Sequence, residues 1–318
     1  MTYLEAAEFL KSYDNYLLLT HRRPDGDTIG SAVGLCELLR TMGKTAWLLP
    51  SLDATRMFQD YLQGHQAPPG FEPDTVVSVD LASLGLLPPN AQPYKDRIDL
   101  AIDHHPSNEF FARETCLEAD KAACGEIIWK IAGHLGIMSE AIATPLYVAV
   151  STDTGCFVYG NTTPHTHRVA AALMEQGIPY QALNKKHFRT KSLRRMKLES
   201  LILQNMKLYQ EGTVAVAPIS LAMMAQADAT DDDAEDIAAF LGQIEGVLHS
   251  ATIRELRPGE CKISLRTNPN FLNATATCAR LGGGGHVAAS GCTVYGTMDE
   301  AEAAILEAIY AQLQEQGG

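Results

Sequence analysis

The 318-residue chain has no apolar run approaching the roughly 18 residues that a bilayer crossing requires. Its first segment, Met1 to Asp14, mixes apolar with acidic residues and lacks the basic start and apolar core of a secretory signal. Together these absences predict a cytoplasmic protein. The seven cysteines (Cys36, Cys116, Cys124, Cys156, Cys261, Cys278, Cys292) are odd in number and never spaced Cys-x-x-Cys. That argues against a disulfide framework or a zinc site and for reduced, mostly buried thiols. Positive charge is also short, with 25 Lys and Arg against 38 Asp and Glu and a formal net charge of −13. Long duplex nucleic acid, which binds mostly through a broad basic surface, is excluded as a partner, whereas a short anionic ligand is not. The local exception is 185–197, basic throughout and free of acids, which reads either as a solvated linker helix or as a positive wall for phosphates.

With 46% hydrophobic residues, the chain is long enough for two domains with separate cores. The first 180 residues alternate strand-like and helix-like segments, the pattern of a parallel sheet covered by helices. Several apolar runs end abruptly in metal-competent side chains. Leu100-Ala101-Ile102 runs into Asp103-His104-His105, and Tyr16 to Thr20 into His21, Asp25 and Asp27. Thr75 to Val79 leads to Asp80, and Leu146 to Thr152 leads to Asp153. Ligands of open α/β sheets sit at the carboxyl edge of the strands, so four such endings can converge there. The donors outnumber the needs of a single cation, and two metals are the economical explanation. Helices are expected at Thr28–Met42, with its positive end beside an anionic substrate, at Lys121–Leu135, at Ser139–Val150 and at Pro164–Gln176.

The basic segment, continuing to Tyr209, is expected to form one long connecting helix, which predicts domains at 1–186 and 212–318 with a linker at 187–211. The second domain reads as a smaller α/β unit: strands at Thr213–Ala217, Gly246–Arg254 and Glu260–Arg266, a helix at Phe271–Leu281 and a strand at Cys292–Tyr295. Asp231 to Asp233 read as helix-capping acids rather than a cation site. Four consecutive glycines, Gly282 to Gly285, precede His286. Such a run is expected only where φ must be positive or side chains would obstruct something. It predicts a loop whose amides, with His286, contact an anion, and Arg266 is a candidate fork for the same phosphate.

The order His21-x-x-x-Asp25-x-Asp27, Asp80, Asp103-His104-His105 and Asp153 resembles the four motifs of the DHH phosphoesterase superfamily. Ser264-Leu265-Arg266 followed by Gly282-Gly283-Gly284-Gly285-His286 resembles its associated C-terminal domain. Length and domain content look most like the nanoRNase (oligoribonuclease)/pAp-phosphatase group; RecJ-type exonucleases are similar in core but carry extra domains. The resemblance implies one metal held by His21, Asp25 and Asp80 and a second by Asp27, Asp80, His104 and Asp153. Asp103 then orients a histidine, and His105 touches the scissile phosphate. It further implies that Arg266, Gly283, Gly284, Gly285 and His286 grip the rest of the substrate, with two divalent cations, expected to be Mn2+, as cofactors. The implied activity is hydrolysis of very short oligoribonucleotides, of the 3′-phosphate of pAp, or of both. Competing readings are a linear or cyclic dinucleotide (pApA, c-di-AMP) phosphodiesterase, a family-II pyrophosphatase, and a nucleotide-binding module with a dead metal site. A homodimer through paired sheet edges is compatible with the pattern.

Overall fold

Continuous apolar runs in the first half become strands buried on both faces. In this computed structural model, which describes residues 1–234 and 237–316, the chain divides into two units, Met1–Thr190 and the remainder from Lys191. The first unit runs α1 (Tyr3–Ser12), β1 (Tyr16–Leu19), α2 (Gly26–Thr41), β2 (Ala46–Leu48), α3 (Gln59–Leu62), β3 (Thr75–Val79), β4 (Leu100–Asp103), β5 (Glu114–Leu117), α4 (Cys124–Leu135), α5 (Glu140–Asp153), α6 (Pro164–Met174) and α7 (Tyr180–Asn184). Its sheet is wholly parallel, in the order β2-β1-β3-β4-β5. Along β1, Tyr16 and Leu18 join the core beneath the helices, while Leu17 and Leu19 join a second core with Val76, Leu87 and Ile98. Burial on both faces is why these strands read as unbroken hydrophobic stretches.

Three departures from expectation occur here. Helix α5 runs three residues past the expected end at Val150 and carries the apolar run into Asp153. Helix α2 begins at Gly26, capped by Asp25, two residues before the expected start. Strand β5, with its mixed burial, carries no periodic signal and was not anticipated. Packing between α2 and α5 depends on a row of glycines at helical spacing. A Cβ at Gly26 would lie 2.3 Å from Thr152 Oγ1, one at Gly30 2.4 Å from the Pro145 carbonyl, and one at Gly34 2.5 Å from Leu146. Their absence lets the two helix backbones meet, with Asp27 and Asp153 at one end of the contact.

The stretch expected as a single connecting helix is several elements. A π-helical turn at Lys185–Arg189 closes the first unit; Thr190 is extended, and α8 (Leu193–Asn205) and β6 (Lys207–Tyr209) follow. Leu198 and Ile202 of α8 are fully buried among residues of the second unit, so the helix belongs to a core rather than bridging two. The remainder is β7 (Val214–Ile219), α9 (Leu221–Ala227), α10 (Ile237–Leu241), β8 (His249–Arg257), β9 (Glu260–Thr267), α11 (Ala274–Ala279), β10 (Gly284–His286), β11 (Ala289–Val294) and α12 (Met298–Gln316). These strands form a mixed sheet, β10-β11-β9-β8-β7-β6, in which only β7 and β8 pair in parallel. Among the described residues all seven cysteines are free, and no helix is long and apolar enough to cross a membrane.

Candidate metal centre

The chain leaves β1 for the edge strand β2 and returns on the other side at β3, so the strand order reverses between β1 and β3. Crevices at such reversals are where α/β sheets bind ligands. His21 follows β1, Asp80 follows β3, and Asp103 ends β4 with His104 and His105 after it. Asp25 and Asp27 come from the start of α2 and Asp153 from the last residue of α5. All eight side chains implied by the motifs are thus brought together at one edge.

Asp80 occupies the middle. Its backbone is left-handed (φ 55°), a conformation that a non-glycine residue holds only where its surroundings over-determine it. The Asp80 amide donates to the Ile102 carbonyl at 2.9 Å. The carboxylate is almost completely buried and splits its oxygens: Oδ2 lies 3.8 Å from His21 Nε2, and Oδ1 lies 3.4 Å from His104 Nε2 and 3.5 Å from His105 Nδ1. His21 Nε2 also lies 3.7 Å from Asp25 Oδ1, and His104 Nε2 lies 3.6 Å from Asp27 and 3.8 Å from Asp153. Three groups result, His21/Asp25/Asp80, Asp80/His104/His105 and Asp27/His104/Asp153, each with ligand atoms within 4.8 Å of one another.

The side chains gathered here fit divalent cations. Asp80 Oδ1 is buried without a hydrogen-bond partner, an arrangement that costs a carboxylate dearly unless a positive charge meets it. His21 commits Nδ1 to the Arg22 carbonyl at 2.9 Å, and His104 commits Nδ1 to the Lys121 carbonyl at 3.1 Å. Both histidines therefore present Nε2 to the carboxylates, the tautomer selection usual for metal-ligating imidazoles. Asp153 sits at the negative end of α5, which favours a cation there.

Electrostatics point the same way. Burial and the neighbouring Asp80 charge hold Asp27 well above the usual carboxylate range, and burial with Asp80 and Asp25 pushes Asp153 up to about 6 despite His104. Burial alone would lower the histidines. The adjoining Asp80, Asp27 and Asp153 carboxylates instead raise His104 to about 11, and Asp25 with Asp80 raises His21 to about 9. Carboxylates that repel one another and imidazoles drawn towards the cationic form are what a cluster lacking positive charge produces.

Side chains outside the motifs hold the cluster in place. Asp27 accepts from the Cys124 amide at 2.7 Å, the Gly125 amide at 3.1 Å and Ser31 Oγ at 2.8 Å, so its carboxylate caps the amino end of α4. Asp103, fully buried, accepts from His105 Nδ1 at 2.8 Å and from Asn108 Nδ2 at 2.6 Å. This bond orients His105 and leaves its Nε2 available. Asn161 donates to the carbonyls of Asp153 and Ala122, both at 3.1 Å, tying the end of α5 to the approach to α4. Ser31, Asn108 and Asn161 were not anticipated, since a lone hydroxyl or amide has no distinguishing sequence signal. Phe157, after Asp153, packs partly against the core.

The glycine run departs from the expected loop. Gly284 to His286 form the edge strand β10, paired antiparallel with β11. A Cβ at Gly283 would lie 2.2 Å from the Gly291 carbonyl, and one at Gly285 would lie 2.7 Å from the Ala289 carbonyl. The hairpin itself requires those two glycines, while Gly284 faces open space. His286 is exposed. Arg266 lies within β9, opposite Ala289, on the face turned away from the buried Ile263 and Leu265.

Residues 15–150 match the N-terminal domain of the DHH family and residues 211–315 match the DHHA1 domain. The bifunctional oligoribonuclease and PAP phosphatase NrnA of Thermus thermophilus is 31% identical over 98% of this chain and 94% of its own. A probable enzyme of the same name from Streptococcus mutans is 26% identical over 96% of each. An exopolyphosphatase-related protein of Bacteroides fragilis shares the fold, with a TM-score of 0.89 over 99% of this chain and 98% of its own at 24% identity. The chain belongs to the DHH phosphoesterase family with a DHHA1 domain, in the group typified by NrnA.

Proposed function

We propose that the protein hydrolyses very short oligoribonucleotides to mononucleotides and removes the 3′-phosphate of pAp, acting in the cytoplasm. The observation that carries this reading is Asp80, whose two oxygens are divided between two imidazole–carboxylate groups 3.4 to 3.8 Å away. Two divalent cations would be held by His21, Asp25 and Asp80 and by Asp27, Asp80, His104 and Asp153. The mixed imidazole and carboxylate donors suit manganese better than magnesium, which prefers oxygen ligands and keeps its waters. Such ions supply Lewis acidity to the phosphoryl group and make water a competent nucleophile at neutral pH. His105, oriented by Asp103 through Nδ1, directs Nε2 to a phosphoryl or leaving oxygen. Arg266 forks onto a phosphate remote from the scissile one, and His286 with the amides of Gly283 to Gly285 binds the terminal nucleotide.

Release of phosphate and nucleotide from pAp, a dinucleotide, a five-nucleotide RNA and cyclic di-AMP, each with manganese or chelator, tests the proposal. Mononucleotides from the RNAs with phosphate from pAp are expected, and both vanish on chelation. Preference for the cyclic substrate would reassign the protein to signalling-nucleotide turnover, and inertness towards all four with metal bound would leave a binding module.

A further inference from the structure

The loop after β4 holds an aromatic side chain in an unfavourable position. Asn108 closes that loop: its amide donates to the His105 carbonyl at 3.1 Å, and its Nδ2 donates to Asp103 Oδ2 at 2.6 Å and the Leu81 carbonyl at 3.2 Å. Its Oδ1 accepts from the Phe110 amide at 2.8 Å. Glu109 is tied to the Ala82 carbonyl at 2.9 Å. This network holds Phe110 at φ 52°, in the left-handed region where a Cβ is strained. The ring is 65% exposed, so it gains little from burial, while the adjacent Phe111 packs into the core. Glycine would fit the backbone without strain and a polar residue would be better hydrated. An aromatic ring at this point has a structural penalty and no structural return unless something covers it.

We propose that Phe110 is the platform on which the nucleobase next to the scissile phosphate stacks. The proposal rests on the phosphoesterase reading of the metal centre and adds a base-binding subsite to it. The Phe110 amide is two hydrogen bonds from the Asp103 carboxylate that orients His105. A nucleobase is likewise separated from its phosphate by a single sugar. Aromatic stacking accepts every base, because each has a π-face, which suits a substrate class spanning mixed short RNAs and an adenine nucleotide. Among the described residues, the other exposed aromatic within six positions of a candidate ligand is Tyr159. Its ring lies over the chain at Gly155, where a Cβ would stand 2.5 Å from the ring carbons. One face of Tyr159 is therefore occupied by backbone, whereas Phe110 is turned outward.

The test compares a dinucleotide with an analogue lacking the base on the nucleotide that carries the scissile phosphate. Phe110→Ala is expected to raise KM for the dinucleotide about tenfold with kcat within about twofold, a difference that collapses on the abasic analogue. Phe110→Gly, which relieves the backbone strain, should repeat this kinetic pattern with an unchanged or raised Tm and so rules out misfolding as the cause. Phe110→Trp provides a readout independent of turnover: indole emission should be quenched as AMP is added. Equal losses on both substrates, or emission indifferent to AMP, would overturn the proposal. So would a Phe110→Ala variant with unchanged KM and a reduced mass by light scattering, which would make the ring a contact between two copies of the chain. If the wild type processes no nucleotide at all, the phosphoesterase reading fails by itself, and the indole titration still decides whether a base stacks here.

Discussion

The candidate metal centre, at the carboxyl ends of inner strands, and the glycine hairpin, at the lateral edge of the other sheet, are held in opposite ways. In the first unit, Asp27 and Asp103 are buried and saturated with amide, hydroxyl and imidazole donors, and Asp80 is held in a left-handed conformation with one oxygen unpartnered. In the second, His286 and two glycines lie on an exposed edge strand whose shape follows from close contact with β11. Groups that must gather like charges need a rigid buried frame, because the repulsion would otherwise scatter them. Groups on an exposed edge need only a defined backbone, and their loss should disturb little else.

The sharpest way to break this contrast is Asp80→Ala. Turnover should fall by at least roughly a thousandfold, the equivalent of several kcal/mol of lost charge stabilisation, with bound manganese reduced in elemental analysis. The metal-free variant should melt no lower than the wild type, since the substitution removes a buried carboxylate whose Oδ1 lacks a hydrogen bond and relieves its repulsion of Asp27 and Asp153. A variant retaining more than a few per cent of activity would dissolve the two-ion assignment.

Asn108→Ala should be milder, with roughly 10- to 100-fold lower activity, because it leaves Asp103 with one donor fewer but keeps every candidate ligand. Parallel measurement of kcat and metal content would show whether the loss lies in the His105 arm or in metal binding.

A third experiment separates imidazoles within the first unit. His187 stacks on Phe58 and Tyr61 and pairs with the Tyr61 hydroxyl, and burial followed by the Lys186 charge lowers it to about 4. Above the unfolded value near 6.5 both states are neutral at this position. As pH falls from there towards 4 the unfolded chain takes up the proton first, so the contribution to stability is lost over that window, on the order of 2 kcal/mol. Replacing His187 with Phe should flatten this part of the stability–pH curve in urea titrations. An unchanged slope would show that the imidazole does not report its burial.

The smallest effect should come from the hairpin. His286→Ala should raise KM for nucleotide substrates about tenfold, the worth of one good hydrogen bond to a charged group, with metal content and Tm unaltered. Lost metal or a large drop in Tm would mean that the edge strand is as over-determined as the metal centre.

Much of the gathering of the candidate metal ligands was legible because a strand buried on both faces is an unbroken apolar run, and the polar residue that ends it marks the carboxyl edge of the sheet. The run before Asp153 reaches the same edge from the end of a helix, whose length of more than ten residues set it apart from a strand. The glycine row at 26, 30 and 34 was in view, and its spacing could have revealed the close α2–α5 contact. Glycines 282 to 285 pointed to a close approach, but the nearest partner of two of them is β11. The basic stretch at 185–197 concealed a break, because its charges obscure where the helical pattern restarts and turns Leu198 inward.

The sequence by itself determined the chemistry available to this protein: imidazoles and carboxylates at the ends of apolar runs, in an order that defines a family, with a glycine-rich segment after a basic strand residue. Covalent order and hydrophobic period are local properties, and they persist in the unfolded chain. Only the tertiary structure decided that Asp80 turns one oxygen to His21 and the other to His104, that backbone amides of α4 hold Asp27, and that Phe110 stays exposed under strain. Those outcomes depend on separations of a few ångströms between segments distant in sequence. Coulombic and hydrogen-bond energies change steeply over such distances, and no spacing along the chain encodes them.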